Sequence, residues 1–126
     1  MKTTSAERLS IATTIDKQVR ATVESVWVYF SWGISKKIAT EYNGMPALQY
    51  KVSGVYHKGY VYIAYNYGTD LYDIFFTSVR GTVKNTVEDV YAEDLGGILD
   101  RYIERGTTSI EEYARLAKAD SEAKTA

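Results

Sequence analysis

The chain has 126 residues, with 15 basic and 16 acidic side chains, one His, one Pro and no Cys. That is the length of a single domain, and the composition rules out a disulfide scaffold, a thiol nucleophile and a thiolate metal site. A lone imidazole, His57, also excludes a zinc site built from several histidines.

The first segment reads as one long helix. Ser5 is its expected cap, with Arg8 at the third helical position where a capping box would carry Glu. Leu9, Ala12, Ile15, Val19, Val23, Val26 and Phe30 follow steps of three and four and form one apolar stripe. Thr13, Thr14 and Thr22 lower the intrinsic propensity, so this helix needs tertiary packing to hold. From Val26 to Trp32 every side is apolar or aromatic, Trp27 and Trp32 included. Those turns are read as helix, ending near Gly33, which supplies a left-handed stop; a strand over 26–32 is the alternative.

Four strands follow. Lys36–Tyr42 is closed by the turn Asn43-Gly44-Met45-Pro46. In Ala47–Ser53, Leu48, Tyr50 and Val52 face one way and Gln49, Lys51 and Ser53 the other, the mark of a half-buried strand. Gly54 is read as a bulge, with Val55 and Tyr56 continuing the strand to a turn at His57-Lys58-Gly59. Tyr60–Tyr67 has the strongest strand propensity, and Leu71–Val79 runs back from Gly68-Thr69-Asp70. The short connections make antiparallel hairpins. Residues 82–88 fit either a fifth, edge strand or a loop.

From about Asp89 a helix is expected, with Val90, Tyr91, Leu95, Ile98, Leu99, Tyr102 and Ile103 on one face. Gly96-Gly97 inside it costs roughly 1 kcal/mol per Gly relative to Ala, which points to close approach of the helix backbone to the sheet or another helix. Gly106 ends it, Ser109-Ile110-Glu111-Glu112 caps a short second helix, and 120–126 reads as a frayed tail. The fold class is therefore α+β: one domain over 1–119, with a long N-terminal helix, a four- to five-stranded antiparallel meander and two C-terminal helices.

Tyrosine carries the most information about function. Seven of the 12 Tyr lie between Tyr50 and Tyr72. Tyr60 and Tyr62 share one strand face; Val61, Ile63, Tyr65 and Tyr67 share the other. Tyr72, Ile74 and Phe76 oppose Leu71, Phe75 and Val79 on the next strand. A sheet aromatic on both faces needs a second cover: a helix, another subunit or a ligand. Tyr60, Tyr62, Tyr65, Tyr67, Tyr72, Trp27 and Trp32 are accordingly the candidate interface or ligand residues.

Other chemistries have weaker support. Base stacking on the sheet would want interleaved cations, yet Tyr60–Val79 holds Asp70 and Asp73 and no Lys or Arg, which argues against nucleic acid. His57 is the one candidate general base, with Ser53, Ser78, Asp70 or Asp73 as partners, but no spacing supports it and a turn histidine is expected to be exposed. Asp70 reads as a turn residue and Asp73 as an edge or rim residue. Gly81-Thr82-Val83-Lys84 lacks the glycine spacing of a phosphate loop. No catalytic residue, metal or cofactor is expected.

Charge is uneven: residues 1–85 carry 10 basic and 6 acidic side chains, residues 86–126 carry 5 and 10. The simplest account is complementarity within the fold or between subunits. The N-terminal residues enter charged helical sequence without an apolar signal core. No uncharged, mostly apolar run is longer than Ser25–Ser35, against the roughly 20 residues needed to span a bilayer. A cytoplasmic chain without a membrane partner is the expectation.

The strings His57-Lys58-Gly59-Tyr60-Val61-Tyr62, Asn66-Tyr67-Gly68-Thr69-Asp70-Leu71-Tyr72-Asp73, Arg80-Gly81-Thr82-Val83, Asp94-Leu95-Gly96 and Ile98-Leu99-Asp100, with Ser31-Trp32-Gly33-Ile34-Ser35-Lys36, resemble a group of small uncharacterised proteins carried by mobile elements and phages of gut bacteria. The resemblance spans roughly 20–105. It implies a genetic setting and the cytoplasm of a bacterial host, and transfers no catalytic residue.

The residues together predict a non-enzymatic binding or assembly protein that self-associates through its aromatic sheet as a homodimer, burying on the order of 1,200 Å². A small-ligand sequestering protein with a tyrosine-lined pocket is the alternative.

Overall fold

The structure, a computed structural model, describes residues 3–105. Two helices, α1 (Ser5–Thr22) and α2 (Val26–Ser31), precede five strands. These are β1 (Lys36–Tyr42), β2 (Met45–Ser53), β3 (Lys58–Asn66), β4 (Leu71–Thr77) and β5 (Val83–Val90). A single 3₁₀ turn, Ala92–Asp94, leads into α3 (Leu95–Asp100), which widens into a π turn at Arg101–Arg105. The class is α+β, with the strands in the order β1-β2-β3-β4-β5, every pair antiparallel. The expected stop at Gly106, the second C-terminal helix and the tail 120–126 lie outside the described residues.

The sheet follows the period-two pattern. Leu48, Tyr50 and Val52 on β2, Val61 and Ile63 on β3, and Tyr72, Ile74 and Phe76 on β4 point to one face and are buried there. Residues 83–90 form the fifth, edge strand. The β1–β2 turn is the tight pair Asn43-Gly44, both at positive φ (50° and 77°), so β2 starts two residues earlier than the sequence implied.

The N-terminal helix differs from expectation in two places. Its cap is Thr4, not Ser5: the Glu7 amide donates to Thr4 Oγ1 at 3.1 Å and the Thr4 amide to Glu7 Oε1 at 3.4 Å. The chain then leaves the helix at Val23, whose ψ of 152° is extended. Thr22 bonds back to the Gln18 carbonyl through its own hydroxyl, which favours ending the helix there. The break redirects α2, so Val28, Tyr29 and Trp32 turn inward while Val26 and Phe30, which continued the stripe, are about half exposed at 54% and 49%. Residues 26–31 are nonetheless helix, and Gly33 takes a left-handed φ of 61°.

Two close approaches lock α3 in place, one to α1 and one to the loop after β2. The Gly96 amide donates to Thr22 Oγ1 at 2.8 Å, and a Cβ on Gly96 would stand 2.5 Å from the Thr22 carbonyl carbon. The Ile103 carbonyl, in the π turn, accepts from the amides of Tyr56 (2.9 Å) and His57 (3.2 Å). Gly54 lies against that carbonyl, so 54–57 is a loop clasped by α3 and not a continuation of β2; Val55 and Tyr56 are exposed. α3 itself begins at Leu95, later than read, because Val90 is spent on β5 and Tyr91 is exposed.

Candidate functional site

α1 and α3 pack against one face of the sheet, burying Ile15, Val19, Leu95, Leu99 and Ile103 against the strands. Among the described residues the opposite face carries no helix. Strand register places Ile38, Gln49, Tyr62, Phe75 and Thr86 in one row across that open face. Tyr42 projects from the end of β1 over this surface, its ring centroid 4.5 Å from both Tyr62 and Phe75. Ala47 and Ala64, between them in register, are fully buried. The tyrosines thus cover the sheet themselves, and Tyr42, Tyr60, Tyr62 and Phe75 stay partly exposed. Gln49 donates to the Tyr62 hydroxyl at 2.8 Å, fixing the ring direction.

The sequence candidates therefore divide into separate groups. Tyr60 and Tyr62 belong to the open face. Tyr65 and Tyr72 lie on the opposite face against α1: the Tyr72 hydroxyl donates to Gln18 Oε1 at 2.6 Å, and the Tyr65 hydroxyl bonds Asp70. These two rings, with Ser10, Ile11 and Thr14, line a cleft of about 200 Å³. Tyr67 is exposed beside the Tyr65 ring, and Trp27 is half-buried on α2. Trp32 is a core residue, fully buried, its Nε1 donating to Asp100 at 2.9 Å.

His57 is buried and not an exposed turn residue. Its ring meets Phe76 edge-on at 5.5 Å and its Nε2–H donates to the Tyr60 carbonyl at 3.1 Å. Burial, helped by the Lys84 charge, pushes its pKa down. Asp73 is likewise buried and not at a rim. It accepts from the Asn66 amide group (3.1 Å) and from the backbone amide of Asp89 (3.2 Å), where the bulge in β5 places Asp89 at a φ of 56°.

The densest polar cluster was not singled out by sequence. Asp16 of α1 accepts from the hydroxyls of Tyr50 (2.5 Å) and Tyr29 (3.0 Å) and pairs with Arg20 (3.2 Å) and Lys37 (3.5 Å). Burial alone would push the Asp16 carboxyl up; the two hydroxyls and two cations outweigh it and hold it below its ordinary value. Burial and the Asp16 carboxylate push the Tyr50 hydroxyl far up, so it stays protonated as a donor. The Tyr29 hydroxyl holds the Lys37 ammonium above its usual value, and Lys37 stands 5.4 Å from the Tyr29 ring centre. The i,i+4 spacing of Asp16 and Arg20 was the available sequence signal; Lys37, Tyr29 and Tyr50 come from three other elements.

Beside this cluster, where α1 gives way to α2, a cleft of about 400 Å³ opens between apolar walls and the two cations. Among the described residues no group of three or more acidic or imidazole side chains could hold a metal, and no helix is long and apolar enough to cross a membrane. No protein-family model matches the chain, and no curated protein or solved structure matches it either.

Proposed function

We propose that the chain is a non-enzymatic binding and assembly protein, two copies of which pair through the open aromatic face of the sheet. The observation that carries this reading is the half-covered row Tyr42–Tyr62–Phe75, flanked by Tyr60, on a face without helices among the described residues. Tyr is the side chain that serves such a surface best, apolar over its ring and tolerant of water at its hydroxyl. Five strands about 4.8 Å apart and about 25 Å long present a footprint of about 600 Å², or about 1,200 Å² over two copies, the size of a stable interface. His57 speaks against acid–base catalysis: its Nε2–H is committed to a carbonyl and its ring is buried.

Sedimentation velocity tests this reading. A dimer at micromolar concentration is expected, with Tyr62→Lys and Phe75→Lys sedimenting as folded monomers. A wild-type monomer at high micromolar concentration would sink the reading. The Tyr65–Tyr72 cleft supports a second one, a small-ligand sequestering protein; there Tyr65→Ala should abolish retention of metabolites from a host lysate, and Tyr62→Lys should not.

A further inference from the structure

We infer that the cleft at the α1–α2 junction is a binding site for a small amphipathic molecule with one negative charge. Its walls are Val23, Val26 and Phe30, and its polar side is Arg20, Lys37 and Tyr29. At about 400 Å³ it falls within the range of small-ligand cavities, roughly 300–1,000 Å³.

Charge arithmetic sets the class of ligand. Arg20 and Lys37 share one carboxylate, Asp16, so the polar side is left with one uncompensated positive charge. The Arg20 Nε lies 3.2 Å from Asp16, and the half-exposed guanidinium lines the cleft. A planar guanidinium fork grips a carboxylate or sulfonate with two parallel hydrogen bonds. Asp16 is anchored by Tyr29 and Tyr50, and it holds Arg20 and Lys37 in turn, so the cationic side is organised before a ligand arrives.

The apolar side is exposed at some cost. Val26 and Phe30 are about half open to water, because the break at Val23 turns Val28, Tyr29 and Trp32 inward in their place. Their surfaces converge on the cleft with Val23, so an aromatic or aliphatic body displaces water from all three while its anionic group meets Arg20 and Lys37. A dianion such as a phosphate monoester would leave one charge unmatched against Asp16 close by. The site uses none of the open-face residues, so it stands or falls apart from dimerisation.

Fluorescence titration of the full chain tests the inference with two probes: 1-anilinonaphthalene-8-sulfonate, and its neutral relative N-phenyl-1-naphthylamine. The expected result is saturable one-to-one binding of the sulfonate. Arg20→Gln should weaken it about tenfold, the factor equivalent to about 1.4 kcal/mol, and leave the neutral probe unchanged. Val26→Asp should weaken both probes, and Tyr62→Lys, on the other side of the sheet, neither. Lys37→Gln repeats the charge test should Arg20→Gln lower the melting temperature. Non-saturable binding, an unchanged sulfonate affinity in both charge variants, or loss of binding in Tyr62→Lys would overturn the assignment.

Discussion

Gly96 and Gly97 stand side by side at the start of α3, and the same substitution should act on them with opposite sign. A methyl at Gly96 would lie 2.5 Å from the Thr22 carbonyl carbon and from the Val23 amide nitrogen, and 2.6 Å from the Thr22 oxygen. All three are backbone atoms at the α1–α2 break, so no side chain can swing away. Overpacking of this kind costs roughly 1–3 kcal/mol, and backbone neighbours put it at the upper end. Pushing α3 off also weakens the bond from the Gly96 amide to Thr22 Oγ1, worth about 1 kcal/mol. The better helix propensity of Ala returns about 1 kcal/mol. Gly96→Ala should therefore destabilise by about 3 kcal/mol net. A methyl at Gly97 meets nothing within 4 Å and the residue is exposed, so Gly97→Ala should stabilise by about 0.5–1 kcal/mol. In thermal melts this is a fall of about 10 °C for the first variant and a rise of about 2–4 °C for the second. Equal shifts, or an unchanged Gly96→Ala melt, would refute the packing argument.

The two sheet faces should answer differently to truncation: Phe76→Ala, fully buried, is expected to lose about 3–5 kcal/mol, whereas Tyr62→Ala, partly exposed, should lose about 1–2 kcal/mol in the monomer, measured by urea unfolding at low protein concentration. The Asp16 carboxyl is held below its ordinary 3.8, so its contribution is full above that pH and lost as pH falls through the lowered folded value. Asp16→Asn should cost about 1.5–3 kcal/mol at pH 7 and flatten the acid limb of a melting-temperature profile below pH 4; an acid limb as steep as that of the wild type would count against the network.

Much of the sheet is legible in the residues alone. Alternation in 47–53 names the buried set Leu48, Tyr50 and Val52, and the paired positive-φ residues Asn43-Gly44 give the first hairpin. Gly33 ends the second helix as its backbone freedom implies, and Gly96 signals the close approach that α1 makes. The Asp16 cluster was not legible, because its members are drawn from α1, α2, β1 and β2 and only Asp16 and Arg20 are near in sequence. Burial of His57 was hidden for a similar reason: a turn histidine is enclosed only once α3 has clasped the loop around it.

Local sequence determined strand period, the turns at Asn43-Gly44 and Gly68-Thr69-Asp70, and the α+β class, since these rest on backbone preferences and side-chain alternation within a few residues. Tertiary structure decided which apolar stripe is covered. The period of the N-terminal stripe runs unbroken through Val23, but Gly96 docks against Thr22 and Val23 where the helix ends, leaving Val26 and Phe30 outside and Trp32 in the core. A periodic pattern specifies a face; only the packing partner, here α3 arriving some 70 residues later in the chain, specifies whether that face is buried.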